Sequence, residues 1–423
     1  MITLAPKAAL DFVALPAREW HLVGGARTGT PFANPPERAQ HCTCISRFRC
    51  VVRILLGICL MSWALLPARA QSNQGLERRE VERCALTGDA VPSGLVVLLP
   101  SGEKNYQSMN LQVLNNPFMS GVAVQVNWRD IEPAQGRPDW SKLDALFAAA
   151  ESSKKWVHLI MFPGFFSPPW ALQGTESDQF EIQYGPGKGT PETLPMPWDR
   201  VYLERWFAFM KQLSARYGGS PAFRMIAAAG PTSVSVEMSL PNSPAAHKLW
   251  LKHSYTPAKY LSAWEDAFHF YASTFPNQCI SLAAPGLPIL GPGEKGRPAH
   301  LRAKEEIIDR AMRAIGNRLA IQWSDLHAGH APVEAPDNTD FVIGYSGRII
   351  TGLEMRSGSQ DDIASKIMGA EGDPPLALRR SIDKGMKPNS AGRHVNYLEI
   401  YEADVLPADM QPVLRYAASL FHR

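Results

Sequence analysis

The feature that most constrains the fold is a strand, loop and helix pattern in residues 120–149. Residues 122–126 are apolar apart from Gln125 and mostly β-branched, as expected for a strand buried on both faces. A polar segment, residues 127–129, follows at once, and apolar residues at helical spacing come between Leu143 and Phe147. The segment therefore predicts one β-loop-α unit, with any chemistry at the carboxyl end of its strand.

Similar units recur along the chain. Apolar runs of strand length follow at residues 156–162, 224–230, 280–284, 319–323, 349–355 and 396–401. Helical spacing separates most of them, which predicts a parallel sheet covered by helices. We expect an α/β fold, a (β/α)8 TIM barrel over residues 115–423, preceded by an N-terminal cover segment over residues 71–114. The third strand has no clear place and is expected within the long, aromatic-rich stretch 163–198.

The first unit also carries a motif. After the strand come Trp128, Glu132-Pro133, Gly136, Asp139-Trp140 and Leu143-Asp144. This pattern resembles the first unit of retaining glycoside hydrolases with (β/α)8 barrels, especially the family 42 β-galactosidase-like group. The resemblance implies hydrolysis of a glycan by two carboxylates without a cofactor. The alternative is that the motif persists as architecture without activity.

The N-terminal region predicts export. Residues 46–70 have a basic start, an apolar core at 54–66 and Ala-Arg-Ala before Gln71, which is typical of a signal peptide. The core is shorter than the ~20 residues of a membrane span, so we expect cleavage between Ala70 and Gln71 and a secreted or periplasmic protein. Residues 1–45 show no periodicity and are interpreted as a spurious or disordered extension, with Val51 or Val52 as candidate starts. A cytoplasmic tail before an uncleaved anchor is the alternative.

Charge and cysteine content change once this segment is removed. The full chain has 43 basic and 40 acidic residues, and residues 71–423 retain 35 and 37. With this balance, residues 71–423 have no excess of basic residues that would favour binding to nucleic acid. Only Cys84 and Cys279 remain of the six cysteines, and spacing alone leaves a disulfide between them open.

Two glutamates are the candidate catalytic residues. Glycoside hydrolysis needs one carboxyl to protonate the leaving oxygen and a second to attack or to activate water. The resemblance places the acid/base after strand four, at Glu237, and the nucleophile at the end of strand seven, at Glu354. Relatives usually have Asn directly before the acid/base, whereas Val236 stands there in this chain. Glu237 is expected on one strand face with two serines.

Residues near the other strand ends are candidate substrate contacts, chosen for aromatic faces or hydroxyl-binding groups: Trp128, Arg129, Trp170, Trp323, His327, Glu399 and Tyr401. Glu399 is alternatively a reserve nucleophile. Gly352 is expected to leave room for a sugar ring. Arg356, on the face of Glu354, is expected either to hold that carboxyl ionised or to neutralise it.

Metal and phosphate chemistry find little support in the sequence. His327 and His330 could bind a metal together with Asp325. A metal site needs a third firm ligand, which the sequence does not establish, so a hydroxyl-binding or structural role is favoured for the two histidines. Residues 185–190 lack the spacing and the following helix of a phosphate loop. The predicted partner is a carbohydrate substrate, with neither metal nor cofactor and no membrane span after signal cleavage.

The sequence thus predicts an exported glycoside hydrolase that cleaves a β-linked glycan or galactoside by a retaining mechanism. Two alternatives stay open: a non-catalytic carbohydrate-binding barrel of the cell envelope, and an envelope protein that uses the barrel as a docking scaffold.

Overall fold

The computed structural model describes residues 91–100, 108–183, 187–283, 297–329, 338–359 and 372–421. All of them belong to one compact unit, Ser72–Arg423. The predicted signal peptide, the N-terminal extension, Cys84 and His330 lie outside the described residues. Within these ranges, no helix combines the length and the apolar character needed to cross a bilayer.

Eight parallel strands close into a barrel, which confirms the predicted TIM-barrel fold. In barrel order they are β1 (Gly94–Leu99), β2 (Met119–Asn127), β3 (Trp156–Phe162), β6 (Phe223–Ala227), β7 (Cys279–Ala283), β8 (Leu319–Leu326), β9 (Ile350–Met355) and β10 (Tyr397–Tyr401). Strand β1 closes the ring because it pairs with both β2 and β10. The two remaining strands, β4 (Ser177–Glu181) and β5 (Pro191–Pro195), form a separate antiparallel hairpin.

Helices connect the strands and cover the barrel. They are α1 (Trp128–Ile131), α2 (Ser141–Ser152), α3 (Pro169–Leu172), α4 (Arg200–Tyr217), α5 (Pro244–Lys252), α6 (Pro257–Thr274), α7 (Arg297–Ile315), α8 (Asn338–Gly344), α9 (Pro374–Gly385) and α10 (Gln411–Leu420). Helix α4 begins where the Asp199 side chain accepts the backbone N–H of Tyr202 at 2.7 Å, a standard helix N-cap. Helix α6 begins in the same way at Thr256.

The predicted order of the first strands was wrong. Residues 95–99, assigned to a cover segment, lie in β1, the first barrel strand, so the barrel begins before residue 115. The strand at 122–126 is therefore the second, and the strand at 156–162 is the third. Every residue of β1 is buried, which explains its continuous apolar sequence. The described residues of the stretch 163–198 hold the small hairpin and no barrel strand.

The barrel interior is apolar at its base. Trp156 and Tyr397 meet there edge to face, with ring centroids 5.9 Å apart. Small side chains such as Ala123 and Ala320 share this inner cluster. The larger apolar cluster lies between the strands and the helices. Above the aromatic base, a group of polar side chains also faces inward among apolar ones, and this polar group forms the candidate site.

The loop after β3 is held close to the loop after β6. Gly164 has φ +63°, and a Cβ there would lie 2.1 Å from the carbonyl oxygen of Ser233. The N–H of Phe165 donates to that same carbonyl at 3.0 Å. Further out, Asp178 of the hairpin accepts hydrogen bonds from Lys252 and His253. These contacts fix part of the rim at the carboxyl ends of the strands.

Candidate active site

Glu237 and Glu354 both lie at the carboxyl end of the barrel, where active sites of this fold are built. Glu354 is the fifth residue of β9. Glu237 follows β6, and its backbone makes a parallel bridge with Ala283 at the end of β7. The prediction that Glu237 shares a strand face with two serines was wrong, because residues 234–240 are irregular apart from that bridge.

Glu354 is surrounded by hydrogen-bond donors and is only 6% exposed. The Gln322 amide donates to its Oε2 at 3.2 Å, and the Tyr401 hydroxyl donates weakly to its Oε1 at 3.4 Å. Burial, followed by the charge of Glu399, raises the pKa of Glu354 well above its usual range, whereas hydrogen bonds from Ser324 and Gln322 lower it. Glu237 also raises this pKa, so the two carboxyls interact across one space.

Glu237 has fewer donors. Its backbone N–H donates to the Ser235 hydroxyl at 3.1 Å, and its carboxyl is hydrogen-bonded to Ser239. Burial raises the pKa of Glu237 to about 7, with a further contribution from the charge of Asp325 and a smaller opposing one from Ser239. A carboxyl with this pKa is protonated in a large fraction of molecules at neutral pH, as a general acid requires.

Arg356 does not contact Glu354. Its guanidinium lies 3.3 Å from the Asp325 carboxylate, in a half-exposed ion pair at the rim. The expectation that Arg356 acts directly on Glu354 was therefore wrong. The Arg356 side chain turns toward solvent and pairs with Asp325 there. In this position the guanidinium remains hydrated, so the ion pair has no desolvation cost.

A buried polar network lies beneath Glu354. His158 contacts the Glu399 carboxylate through Nδ1 at 2.6 Å and the Ser281 hydroxyl through Nε2 at 2.7 Å. Gln322 Nε2 donates to Glu399 at 2.8 Å, and the Tyr397 hydroxyl donates to Gln322 Oε1 at 2.7 Å. Glu399 is fully buried and its oxygens are engaged, so the structure contradicts its predicted role as a substrate contact or reserve nucleophile.

Gly352 makes room for a protein side chain rather than for a sugar. A Cβ at this position would lie 2.0–2.4 Å from atoms of the Tyr397 ring. The neighbouring strand thus fills the space that the missing side chain leaves. The expectation of an open sugar subsite above Gly352 was wrong.

Two predicted sugar platforms, Trp128 and Trp170, contact each other at the core. Trp128 is 0% exposed, and its indole N–H donates to Glu132 at 3.0 Å. Trp170 packs against it edge to face at 5.4 Å and donates to the Glu132 carbonyl oxygen at 2.9 Å. These contacts fasten the loop after β3 to the loop after β2. Trp128 is fully buried, so its predicted role as a substrate contact was wrong, whereas Trp170 is half-buried and its role stays a prediction.

Trp323 was also assigned wrongly. Its neighbour Gln322 points into the barrel, so the alternation of a strand turns Trp323 outward. The side chain packs, half-buried, against the large cluster between strands and helices. A ligand in the barrel mouth would not reach it.

Three other predicted contacts lie at the mouth. Arg129 is exposed, with its Cζ 5.2 Å from the centre of the Phe166 ring. His327 follows β8 directly and is half-buried. Tyr401 is half-buried and donates to Glu354, as described above. Their roles as substrate contacts stay predictions.

The described residues contain no group of three or more His, Cys, Asp or Glu side chains placed to hold a metal ion. The Asp325 carboxylate instead pairs with Arg356, and His330 lies outside the described ranges.

Sequence reasoning missed His158, Ser281 and Gln322. A signal for them was present, because His158 and Ser281 are the single polar residues of otherwise apolar strands, and Gln322 interrupts the apolar first half of β8. A polar side chain in a strand that is buried on both faces requires a hydrogen-bond partner. What the sequence lacks is the information that these three positions meet at one level inside the barrel.

Comparisons with known proteins were made for sequence and for structure. No protein-family model matches the sequence, and no curated protein matches it. Among solved structures, the catalytic domain of β-amylase from Paenibacillus polymyxa is 12% identical, with 75% of this chain and 94% of that chain covered and a TM-score of 0.48. Native xylanase 10B from Thermotoga maritima is 11% identical, with 79% and 98% covered and a TM-score of 0.47.

A third similar structure is the exo-β-1,4-mannosidase Op5Man5 from Opitutaceae bacterium strain TAV5. It is 14% identical, with 78% of this chain and 59% of that chain covered and a TM-score of 0.43. Likenesses this distant do not assign an activity to this chain. The barrel itself is established by the closed ring of strands.

Proposed function

We propose that this chain is a glycoside hydrolase that cleaves a β-linked glycan or galactoside by a retaining double displacement. Glu237 acts as the acid/base and Glu354 as the nucleophile. One observation carries the proposal: two buried or half-buried glutamates, one following β6 and one at the end of β9, lie at the carboxyl end of a TIM barrel.

The surroundings of Glu237 support its role as the acid, and those of Glu354 have opposing effects. Glu237, with a pKa near 7, is suited to carry the proton that the leaving oxygen needs. Glu354 accepts hydrogen bonds from Gln322, Tyr401 and Ser324, and such donors stabilise a carboxylate. Burial and the charge of Glu399 oppose these donors and raise the pKa of Glu354 well above its usual range, so the nucleophile role of Glu354 rests on its position at the carboxyl end of β9.

The reaction follows from these roles. The Glu354 carboxylate attacks the anomeric carbon while Glu237 transfers its proton to the glycosidic oxygen, so that the bond to the leaving sugar breaks. A water molecule then gives a proton to Glu237 and attacks the anomeric carbon, which releases Glu354 and restores both groups. Two inversions leave the anomeric configuration retained.

Two finer features belong to the proposal. The resemblance of the 128–144 motif to family 42 makes β-galactosides the first substrates to try. The predicted signal peptide supports action outside the cytoplasm, in the periplasm or the medium. N-terminal sequencing of exported protein checks the second feature, and a mature chain that retains residues before position 46 contradicts it.

The test is hydrolysis of a panel of aryl β-glycosides and polysaccharides by the full chain, beside Glu237→Gln and Glu354→Gln. We expect each substitution to lower kcat by at least about a thousandfold, because each removes a group that acts in the transition state. NMR of the first product gives its anomeric configuration. Glu204→Gln, on the exposed face of α4, is the matched control.

Two results would contradict the proposal. A product of inverted anomeric configuration would exclude Glu354 as a nucleophile. Turnover at the wild-type rate in both variants would place the catalytic residues elsewhere. A folded wild-type chain that binds sugars but hydrolyses none of the panel would favour the carbohydrate-binding barrel.

A further inference from the structure

The buried network beneath Glu354 is continuous from Ser281 of β7 to Glu354 of β9. It runs from Ser281 through His158 and Glu399 to Gln322, and then to Glu354, with four contacts between 2.6 and 3.2 Å. His158 and Glu399 are 1% and 0% exposed. Two carboxyls thus share one amide donor inside a space that excludes solvent.

Such an arrangement has an electrostatic problem. A buried carboxylate is costly unless a partner offsets its charge, and two neighbouring carboxyls resist simultaneous ionisation. Among the described residues, His158 is the ion-pair partner of Glu399. Both ring nitrogens of His158 face oxygen atoms, which allows an imidazolium to donate to Glu399 and to Ser281 at the same time.

The orientation of Gln322 is fixed from the opposite end. The Tyr397 hydroxyl donates to Oε1 of Gln322, so the amide nitrogen must point toward the carboxyls. That nitrogen donates to Oε2 of Glu399 and Oε2 of Glu354. Gln322 is therefore a rigid link between the buried pair and the predicted nucleophile.

We propose that His158 and Glu399 form a charged pair in which the imidazolium offsets the charge of Glu399 beside Glu354, and that through Gln322 the pair orients Glu354 for attack. The proposal rests on the proposed function. His158, Glu399 and Gln322 are positioning residues, because they act on Glu354 and do not reach the substrate.

Few other titratable groups face this pair. They are Cys279 of β7, Glu354 of β9, Tyr397 and Tyr401 of β10, and Glu237 beyond Glu354. Burial raises the pKa of Tyr397 and of Tyr401 well above the usual range, so both tyrosines stay neutral. The charge state of His158 therefore decides whether Glu354 has a net negative neighbour.

The experiment uses the full chain and three variants: His158→Asn, Glu399→Gln and the double substitution. Asparagine keeps a neutral N–H near the position of Nδ1, and glutamine keeps the shape of Glu399. The acidic limb of the kcat/KM profile reports the ionisation of the nucleophile. Glu204→Gln, a distant and exposed substitution, serves as the control.

We expect His158→Asn to move the acidic limb to higher pH by about one unit, because it leaves Glu399 uncompensated. Glu399→Gln alone moves the limb to lower pH by less. The double variant returns the limb to the wild-type position or slightly below it. A merely structural role predicts loss of stability without this reciprocal correction, and an unmoved limb in His158→Asn overturns the proposal.

A second readout does not depend on turnover. Infrared difference spectra between wild type and Glu354→Gln follow the protonation of the Glu354 carboxyl, and the same titration in Glu399→Gln must shift to lower pH. If the wild type lacks turnover but this shift occurs, the proposed function fails and the charged pair stands. If turnover exists and neither the limb nor the titration moves, the charged pair fails alone.

Discussion

At the scale of the residue, one side-chain type takes three roles according to its surroundings. Glu237 is half-buried near another acid, and its pKa rises to about 7. Glu354 is enclosed by donors, and Glu399 is paired with His158. Burial penalises the charged form, whereas donors and cations favour it. The balance of these effects at each position determines which carboxyl carries a proton.

Asp325 offers a test of this balance. Its charge raises the pKa of Glu237, so Asp325→Asn should lower that pKa and leave the Arg356 cation without its partner. Glu237 must be protonated to act as the acid, and activity therefore falls as pH rises through this pKa. We expect the basic limb of kcat/KM to move to lower pH by roughly half a unit.

The pH profile of the Asp325→Asn variant checks this expectation. Asp383→Asn, an acid-to-amide change on the exposed face of α9, should leave the limb in place. A limb that moves to higher pH would mean that Asp325 does not act through its charge on Glu237.

At the scale of the element, the loop between β2 and α2 is organised around one buried carboxylate. Glu132 accepts the Trp128 indole N–H at 3.0 Å and the Gly136 backbone N–H at 2.8 Å. Its carbonyl oxygen accepts the Trp170 indole N–H. The residues that carry the resemblance to glycoside hydrolases therefore have an architectural task in this chain: they fix the rim of the barrel.

Replacement of this acid tests that task. Glu132→Ala removes the acceptor from two donors, and an unsatisfied buried donor costs about 1–3 kcal/mol. We expect the free energy of unfolding to fall by about 2–4 kcal/mol, measured by urea denaturation of the full chain. Glu204→Ala on α4 should change it by less than about 0.5 kcal/mol. Loss of turnover at unchanged stability would instead give Glu132 a direct catalytic role.

At the scale of the whole molecule, closure of the barrel depends on β1. This strand pairs with β2 on one side and with β10 on the other. Val96 lies in register with Glu399 and with Gly121, so β1 also seals the interior beside the polar network. Without it, two strand edges and the inner apolar cluster would face water.

Truncated chains test whether the folded domain begins before β1 or only at residue 115. A chain that begins at residue 115 should lack a cooperative thermal transition by circular dichroism, because it cannot close the ring. A chain that begins at residue 72 retains β1 and should melt cooperatively. Cooperative unfolding of the shorter chain would show that β1 is dispensable.

The sequence by itself determined the repeated order of strands and helices, because burial on both faces gives a parallel strand a continuous apolar run and a covering helix an apolar stripe. Strands β3, β7 and β9 were placed to within a residue or two on this basis. The positions of Glu237 and Glu354 along the chain followed from the family resemblance. None of these inferences needed contacts between distant residues.

Only the tertiary structure decided which side chains meet. A strand that continues a barrel and one that covers it have the same local pattern, so β1 could be assigned only from its pairing with β10. Trp128 was indistinguishable from an exposed platform until its neighbours were known. The network of His158, Gln322 and Glu399 joins three strands that are far apart in the chain, and its charge balance arises from that juxtaposition alone.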